Sequence, residues 1–456
     1  MKRYEAYKPV TSRWAKQLPF YWEFQKIAEV FIERKENNDP IKTTNILSLT
    51  NTRGVIPYSD KGNLGNKAKN DIRGYRLAYP GDIVLNSMNV VIGSVGLSQY
   101  YGAVSPVYCM LYVRNNTKYN VRYYNYVFQD KIFQGGLNGL GNGILEIRMR
   151  IPMSKLKYVC VPVPPRAEQD QIVRYLDWQV SKINRLIAAK RKQIELLKEH
   201  KEAFINTAVT RGVVDDIPLK ESGMQWLPKI PAHWRPVPAK ALFRNISELR
   251  RDNDPMFAAT QKYGLIEQVE YMRRENRRIV LANDNLDKWL HVEPDDFIIS
   301  LRSFQGGLEK CDKPGCVTWH YVVLRPQKYV YPPFYKWLFK SASYIGALQK
   351  TSDFIRDGQD LRYSNFVKVG LFVIPMTEQV QIADRLDSEI PKYQKAIESL
   401  EQEIQQIIEY RTRLISDVVT GQIDVRGIEV PDYEHCDEAP ENAAEESSDA
   451  DYDTEE

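Results

Sequence analysis

Pro165-Arg166-Ala167-Glu168-Gln169-Asp170-Gln171-Ile172 returns 210 residues later as Pro375-Met376-Thr377-Glu378-Gln379-Val380-Gln381-Ile382, and Leu176-Asp177 follows the first block where Leu386-Asp387 follows the second. Two further blocks repeat in the same order. Trp14, Leu18, Pro19 and Trp22 correspond to Trp226, Ile230, Pro231 and Trp234, shifted by 212. Gly54-Val55-Ile56 corresponds to Gly264-Leu265-Ile266; Pro80, Asp82 and Ile83 to Pro294, Asp296 and Phe297; Gly102, Val104 and Tyr108 to Gly315, Val317 and Tyr321. Ordered blocks at a nearly constant offset mean duplication. The period is far longer than that of a solenoid, so each copy is expected to be a domain.

Behind each Pro-x-x-Glu-Gln block lies a helical stripe. Steps of four and three from Leu176 visit Val180, Ile183, Ile187, Lys190, Ile194, Leu197, Lys201, Phe204 and Ala208. The shifted steps visit Leu386, Ile390, Tyr393, Ile397, Leu400, Ile404, Ile407, Arg411, Leu414 and Val418. Alternating spacings of four and three make a coiled-coil seam. A helix of about 40 residues is about 60 Å long and cannot hide such a stripe alone. Pairing of the two copies is the simplest solution, antiparallel or parallel; a homodimeric coiled coil is the other. Pro165 and Pro375 mark the helix starts, and Pro391 is expected to kink the second helix. The front of each copy alternates β-rich runs (Asp82–Leu85, Val107–Val113; Phe297–Ile299, Tyr321–Leu324) with helical stretches (Tyr123–Phe133; Phe334–Leu348), a mixed α/β pattern.

The chain has 456 residues, 43% of them apolar and 27% charged, which is globular composition spread over at least two domains. No apolar run reaches the roughly 18–20 residues of a membrane span. The opening Met1–Glu5 leads into polar and aromatic sequence, so no signal peptide is expected. Five unpatterned cysteines (109, 160, 311, 316, 436) suit a reducing compartment, and a cytoplasmic location is expected. Residues 429–456 hold thirteen Asp and Glu and no Lys or Arg, so the formal +4 of the whole chain conceals +17 in residues 1–428. A body that basic favours a polyanion, because each neutralised phosphate releases a counterion. The tail has the composition of a disordered segment.

These features resemble the specificity subunits of type I DNA restriction–modification systems. The resemblance covers residues 1–428 and rests on Trp14–Trp22 and Trp226–Trp234, on Gly81-Asp82-Ile83-Val84 through Gly102–Tyr108, on Asp296–Gly307, and on the two Pro-x-x-Glu-Gln helix starts. Trp319-His320 departs from the first copy's Ser105-Pro106, and the acidic tail lies outside the pattern. The resemblance implies an α+β chain with a pseudo-two-fold internal repeat: target-recognition domains at 1–164 and 213–374 and spacer helices at 165–212 and 375–425 forming an antiparallel two-helix coiled coil; composition, not the resemblance, sets off 426–456 as an acidic tail expected to be disordered. The resemblance also implies that each domain reads one half of a split double-stranded DNA target and that the helices dock two methyltransferase subunits. Restriction/translocase subunits complete the assembly. The chain itself would then be non-catalytic and bind no cofactor, with S-adenosylmethionine, ATP and Mg2+ held by the partner subunits. The competing reading is a coiled-coil protein-interaction scaffold without DNA specificity.

Base readout needs Arg, Lys, Asn or Gln at groove edges and other cations on phosphates. Candidates between the framework points are Lys67, Lys69, Arg73, Arg76, Asn86, Asn89, Asn138 and Asn142 in the first copy. In the second they are Arg273, Arg274, Arg277, Arg278, Arg302, Gln305, Arg356 and Gln359. A lone surface arginine is most often merely solvated; the 273–278 cluster is the stronger signal. Glycines 135, 136, 139, 141 and 143 fit either a loop approaching DNA or a plain surface loop. Catalytic signals are poor. Tyr331-Pro332-Pro333-Phe334 lacks the amide or carboxylate that an amino-methyltransferase motif places first, and no phosphate-binding glycine loop accompanies it. Cys311, Cys316 and His320 lack a fourth zinc ligand.

Overall fold

The computed structural model describes residues 2–50, 53–61, 68, 71–88, 90, 93–141, 151–214, 216–260, 262–275, 285–300, 303–351 and 361–437. The chain divides into two compact units, one of residues 1–192 with 401–456 and the other of residues 193–400.

In the first unit a four-stranded antiparallel sheet runs in the order Phe31–Arg34, Tyr108–Val113, Ile83–Asn86, Val95–Leu97. Ile83–Asn86 is buried at every residue because the sheet is covered on both faces. One cover is the hairpin Leu47–Thr50/Gly54–Pro57 with the pair Arg76–Ala78/Gly102–Val104; Leu47, Leu49, Val55, Ala78, Val84, Val104 and Met110 meet in one core. The other is the helix Val121–Gln129, which buries Tyr123, Tyr124, Val127 and Phe128 at helical spacing. Asn120 caps that helix and Asp130 caps the next, Lys131–Gly136.

In the second unit the sheet order is Phe243–Ile246, Val322–Pro326, Phe297–Ile299, Glu309–Lys310, again antiparallel. A hairpin, Phe257–Thr260/Gly264–Glu267, and the pair Leu290–Val292/Gly315–Val317 accompany it. The helix Pro332–Lys340 buries Phe334, Tyr335, Leu338 and Phe339, and Phe243 packs edge-on against Tyr335. Tyr331-Pro332-Pro333-Phe334 is thus a helix start: Tyr331 is the N-cap residue and the prolines fill the first turn, where a missing N–H costs nothing.

Two long helices, Arg166–Arg211 and Met376–Val419, grow from the repeated blocks. The repeated glutamine explains how each start is held. Gln169, fully buried, accepts a hydrogen bond from the Asn120 N–H (2.8 Å) and donates to the carbonyls of Pro164 (2.8 Å) and Lys118 (3.1 Å). Gln379, equally buried, accepts from the Tyr331 N–H (2.8 Å) and donates to the carbonyls of Tyr329 (2.8 Å) and Ile374 (3.1 Å). Only a neutral amide, acceptor and donor at once, satisfies that set. Each helix is followed by a left-handed glycine, Gly212 (φ 85°) and Gly421 (φ 70°). A Cβ on Gly421 would lie 2.5 Å from Pro19 and 3.0 Å from Trp22, and one on Gly212 would lie 2.9 Å from Glu378 and 3.7 Å from Trp234. The repeated tryptophans therefore sit against helix ends.

Along the two apolar stripes Leu176, Ile183, Ile187, Ile194, Leu386, Ile397, Ile404, Leu414 and Val418 are buried. Val180, Leu197, Phe204, Ile390, Tyr393, Leu400 and Ile407 are partly so. Each fully buried Leu or Ile contributes roughly 1.5–3 kcal/mol. Within the first unit Arg411 donates to the Asn184 side chain (2.9 Å) and Lys190 pairs with Glu403. Within the second, His200 bonds to the Tyr393 hydroxyl (2.9 Å), and Ile205, Ala208 and Val209 share a core with Ile382, Ala383 and Leu386. The second helix runs on through Pro391. Among the described residues no helix is long and apolar enough to cross a membrane.

The chain does not leave the fold at 426. From Asp424 to Asp437 it follows the first long helix, held by Gln171, Ser181, Asn184 and Arg185. Composition hides this because the helix grips main-chain atoms, which every sequence has. Residues 438–456 lie outside the described residues.

Candidate nucleic-acid interface

The hairpins of the two units carry the same turn. In the first, Thr50 Oγ1 donates to the Gly54 carbonyl and accepts from the Arg53 N–H; in the second, Thr260 Oγ1 donates to the Gly264 carbonyl and accepts from the Tyr263 N–H. These turns present Arg53 and Lys262, two cations that sequence reasoning missed. The spacing Thr-x-x-x-Gly, present in both copies, was the signal that could have found them. Arg53 donates to the Asp60 carbonyl (2.7 Å) and Lys262 pairs with Glu275 (2.9 Å).

The helix Gln268–Glu275 follows the second hairpin and brings Arg273 and Arg274 together on one carboxylate, Glu270, at 2.7 Å each. Their hydrogen bonds hold the Glu270 carboxyl down at about 2. Both arginines border an open cavity of about 430 Å3 with Phe257, Leu265, Glu267 and Lys313. In the first unit Arg73 is exposed and grips Asp71 (2.7 Å), whose carboxyl is likewise held at about 2. Arg76 is tied inward, to the Tyr108 carbonyl (3.3 Å) and Glu33 (3.6 Å). Asn138 is exposed, and its carbonyl accepts from Arg13 (2.8 Å). Gly136 is a packing glycine: a Cβ there would lie 2.6 Å from that of Trp14. Gln305 is exposed on the single turn Ser303–Gly306 after the strand Phe297–Ile299.

Asn86 departs from the expectation of a groove-edge residue. It is buried, and its side chain accepts from the Met88 N–H (3.0 Å), because a strand covered on both faces leaves no outward position. Lys67, Lys69, Asn89, Asn142, Arg277, Arg278, Arg302, Arg356 and Gln359 lie outside the described residues.

Under each sheet sits a buried aspartate gripped by two nitrogens of an arginine. Asp82 takes Arg34 at 2.7 and 3.0 Å; Asp296 takes Arg325 at 2.9 Å twice. The aspartates are repeat-related and the arginines are not: one lies on the strand Phe31–Arg34, the other on Val322–Pro326.

His291, nearly inaccessible, stands between Asp254 (Nδ1, 2.7 Å) and Glu293 (Nε2, 2.9 Å). Two carboxylates as acceptors require both ring nitrogens to be protonated. Burial lowers the pKa of His291, but the hydrogen bonds to Glu293 and Asp254 outweigh it and the net direction is upward. A raised folded pKa contributes stability that is fully present below the unfolded value of about 6.5 and is lost as pH rises through the folded value. The second unit is therefore expected to have a lower denaturant midpoint at pH 8.5 than at pH 6. His291→Gln should flatten that dependence, and a slope unchanged in the variant would refute the assignment.

Cys311 and Cys316 are buried thiols pushed up by burial to about 12 and about 11; their sulfurs donate to the carbonyls of Lys313 and Asp254. Among the described residues no group of three His, Cys, Asp or Glu converges as a metal site.

Residues 19–196 match the family model of the type I restriction modification DNA specificity domain. Over 447 residues the chain is 22% identical to a Methanocaldococcus jannaschii protein named as a type I restriction enzyme MjaX specificity subunit, covering 90% of this chain and 95% of that one. A chain solved in work on complex assembly and conformational transition of the type I R-M system superimposes with a TM-score of 0.58 at 13% identity, covering 89% of this chain and 99% of that chain. The HsdS subunit from Thermoanaerobacter tengcongensis gives 0.49 at 12% identity, covering 91% and 100%. The chain is thus similar to type I restriction–modification specificity subunits: residues 19–196 match their DNA specificity domain, one such subunit is similar along nearly the whole length, and the fold is shared with a chain of a type I R-M system.

Proposed function

We propose that the chain is the DNA-reading subunit of a type I restriction–modification complex, with residues 1–164 and 213–374 each recognising one half of a bipartite duplex target. The observation that carries this reading is a recurring framework with differing contents. Both units have the same sheet order, the same hairpin turn and the same glutamine brace, and Trp14 and Trp226 donate to the Cys160 and Gly370 carbonyls at repeat-related positions. The residues presented between framework points differ: Arg73 on Asp71 in one, Arg273 and Arg274 on Glu270 in the other. Duplicated scaffolds with divergent surfaces suit two readers of unlike sequence.

The helices 165–212 and 375–425 are proposed to form an antiparallel coiled coil that sets the gap between half-sites and docks two methyltransferase subunits. Support comes from pairings inside each unit, Asn184 with Arg411, Lys190 with Glu403 and His200 with Tyr393, where numbers rise on one helix as they fall on the other. The subunit is read as non-catalytic; S-adenosylmethionine, ATP and Mg2+ belong to the methyltransferase and restriction/translocase partners. A methyltransferase–specificity complex should shift a duplex carrying both half-sites and lose affinity steeply with salt, by about 10^3-fold or more between 50 and 200 mM if six or more phosphates are contacted. Methylation mapping with and without this chain supplies the target. Methylation unchanged by removal of the chain would defeat the proposal.

A further inference from the structure

We propose that the Gln171–Arg185 face of the first long helix is a groove for an extended acidic peptide, occupied by the chain's own residues 428–437 as a displaceable strap. The helix reads main chain. Gln171 donates to the carbonyls of Val425 (3.0 Å) and Ile428 (2.6 Å), Ser181 to that of Glu434 (3.1 Å), Asn184 to that of Cys436 (3.1 Å), and Arg185 to that of Glu434 (2.8 Å). The Cys436 N–H returns a bond to Ser181 Oγ (2.7 Å). Ser181 and Asn184 are buried, and the Asn184 amide is oriented by Arg411 on its oxygen. Donors at positions 171, 181, 184 and 185 recur on one helix face, which is how a helix presents a ladder to an extended chain.

The strap itself fits poorly. After Val425 no described residue of it is buried, so it adds little apolar stabilisation. It is pinned at Ile428 and again at Glu434–Cys436. Between these points a cavity of about 810 Å3 lies open among Gln171, Arg174, Asp177 and residues 426–433. Arg174 bonds to the Gln171 oxygen (2.6 Å), Asp177 is taken by Arg122 (2.8 Å) and Tyr126 (2.9 Å), and Arg185 reaches the Glu434 carboxylate (3.4 Å). Arg174 on the cavity wall and Arg185 against Glu434, with Glu429, Asp432, Glu434 and Asp437 on the strap, make the complementarity acidic-on-basic. An extended acidic segment of another protein chain that filled the cavity would displace the strap. This groove stands on its own contacts and does not depend on the DNA-reading assignment.

The test uses the chain ended after Gly427 and a fluorescent synthetic peptide of residues 428–437. The shortened chain should bind the peptide saturably, while the full chain should not, because its tethered strap competes at an effective concentration on the order of millimolar. Ser181→Ala with Asn184→Ala in the shortened chain should weaken binding at least ten-fold, as should neutralising the peptide's acidic residues. A shortened chain with unchanged circular dichroism that ignores the peptide, or binds the neutral peptide equally, overturns the proposal. If shortening unfolds the chain, the same double substitution in the full chain should speed chymotryptic cleavage after Tyr433 at least five-fold; an unchanged rate overturns it too.

Discussion

Replacing residues 1–164 with the first recognition domain of another specificity subunit is expected to change one half of the methylated target and leave the other half and the gap as they were. The first unit has its own sheet and its own core around Leu47, Val84 and Met110, so specificity contacts move with it. The junction has defined requirements. The incoming domain must offer a carbonyl where Lys118 stands and an N–H where Asn120 stands, or Gln169 is left buried and unsatisfied. It must also supply the hydroxyl by which Tyr123 donates to the Val419 carbonyl (2.8 Å) and that by which Tyr4 donates to Glu168. Each wrong base pair costs roughly 1–3 kcal/mol. Three in the exchanged half should lower affinity for the parental target by a factor on the order of 10^2 or more. Methylome sequencing reads the outcome; both halves changing together would contradict a two-reader chain.

Arg325→Met is expected to be the most damaging single substitution in the second unit outside its aromatic core, at about 3 kcal/mol. Asp296 is 1% exposed and takes two guanidinium nitrogens plus the Glu293 N–H (2.9 Å). Removing the cation leaves a buried carboxylate with one neutral donor. The figure is taken from the low end of the range for broken buried pairs because Arg325 is about a quarter exposed, and water can partly replace it. Asp296→Asn keeps an acceptor and should cost less, about 1–2 kcal/mol. Hydrogen exchange should localise the loss to Phe243–Ile246 and Val322–Pro326, with the first unit unaffected. Equal stability of Arg325→Met and the parent would mean that this pair does not hold the second unit together.

That pair shows how far the sequence could be read. Asp82 and Asp296 align in the repeat and were visible as framework points. Their arginines come from different strands, so no offset finds them; only the register of Phe31–Arg34 and Val322–Pro326 against the sheet does. The candidate interface divides similarly. The 273–278 cluster was legible as charge, and the fold adds that Arg273 and Arg274 share Glu270. Arg76 and Asn86 looked equally available, yet Asn86 is buried in its strand and Arg76, still part-exposed, is engaged by the Tyr108 carbonyl and Glu33. Arg53 and Lys262 lie on matching turns but one position apart, since the counterpart of Arg53 is Tyr263.

The sequence by itself showed the repeated blocks, the two long helical stretches with their apolar stripes, and the mixed character of each front. These follow from local periodicities of 3.6 and 2 residues and from spacing, which survive without knowledge of distant neighbours. Tertiary structure alone decided which arginine neutralises each buried aspartate, that Gln169 and Gln379 brace the loops ahead of the aromatic helices, and that residues 424–437 return to the first long helix. Those pairings join segments from tens to more than 250 residues apart. The grips on 424–437 fall mostly on main-chain atoms, and a backbone carbonyl is the same in every residue, so no side-chain pattern announces it.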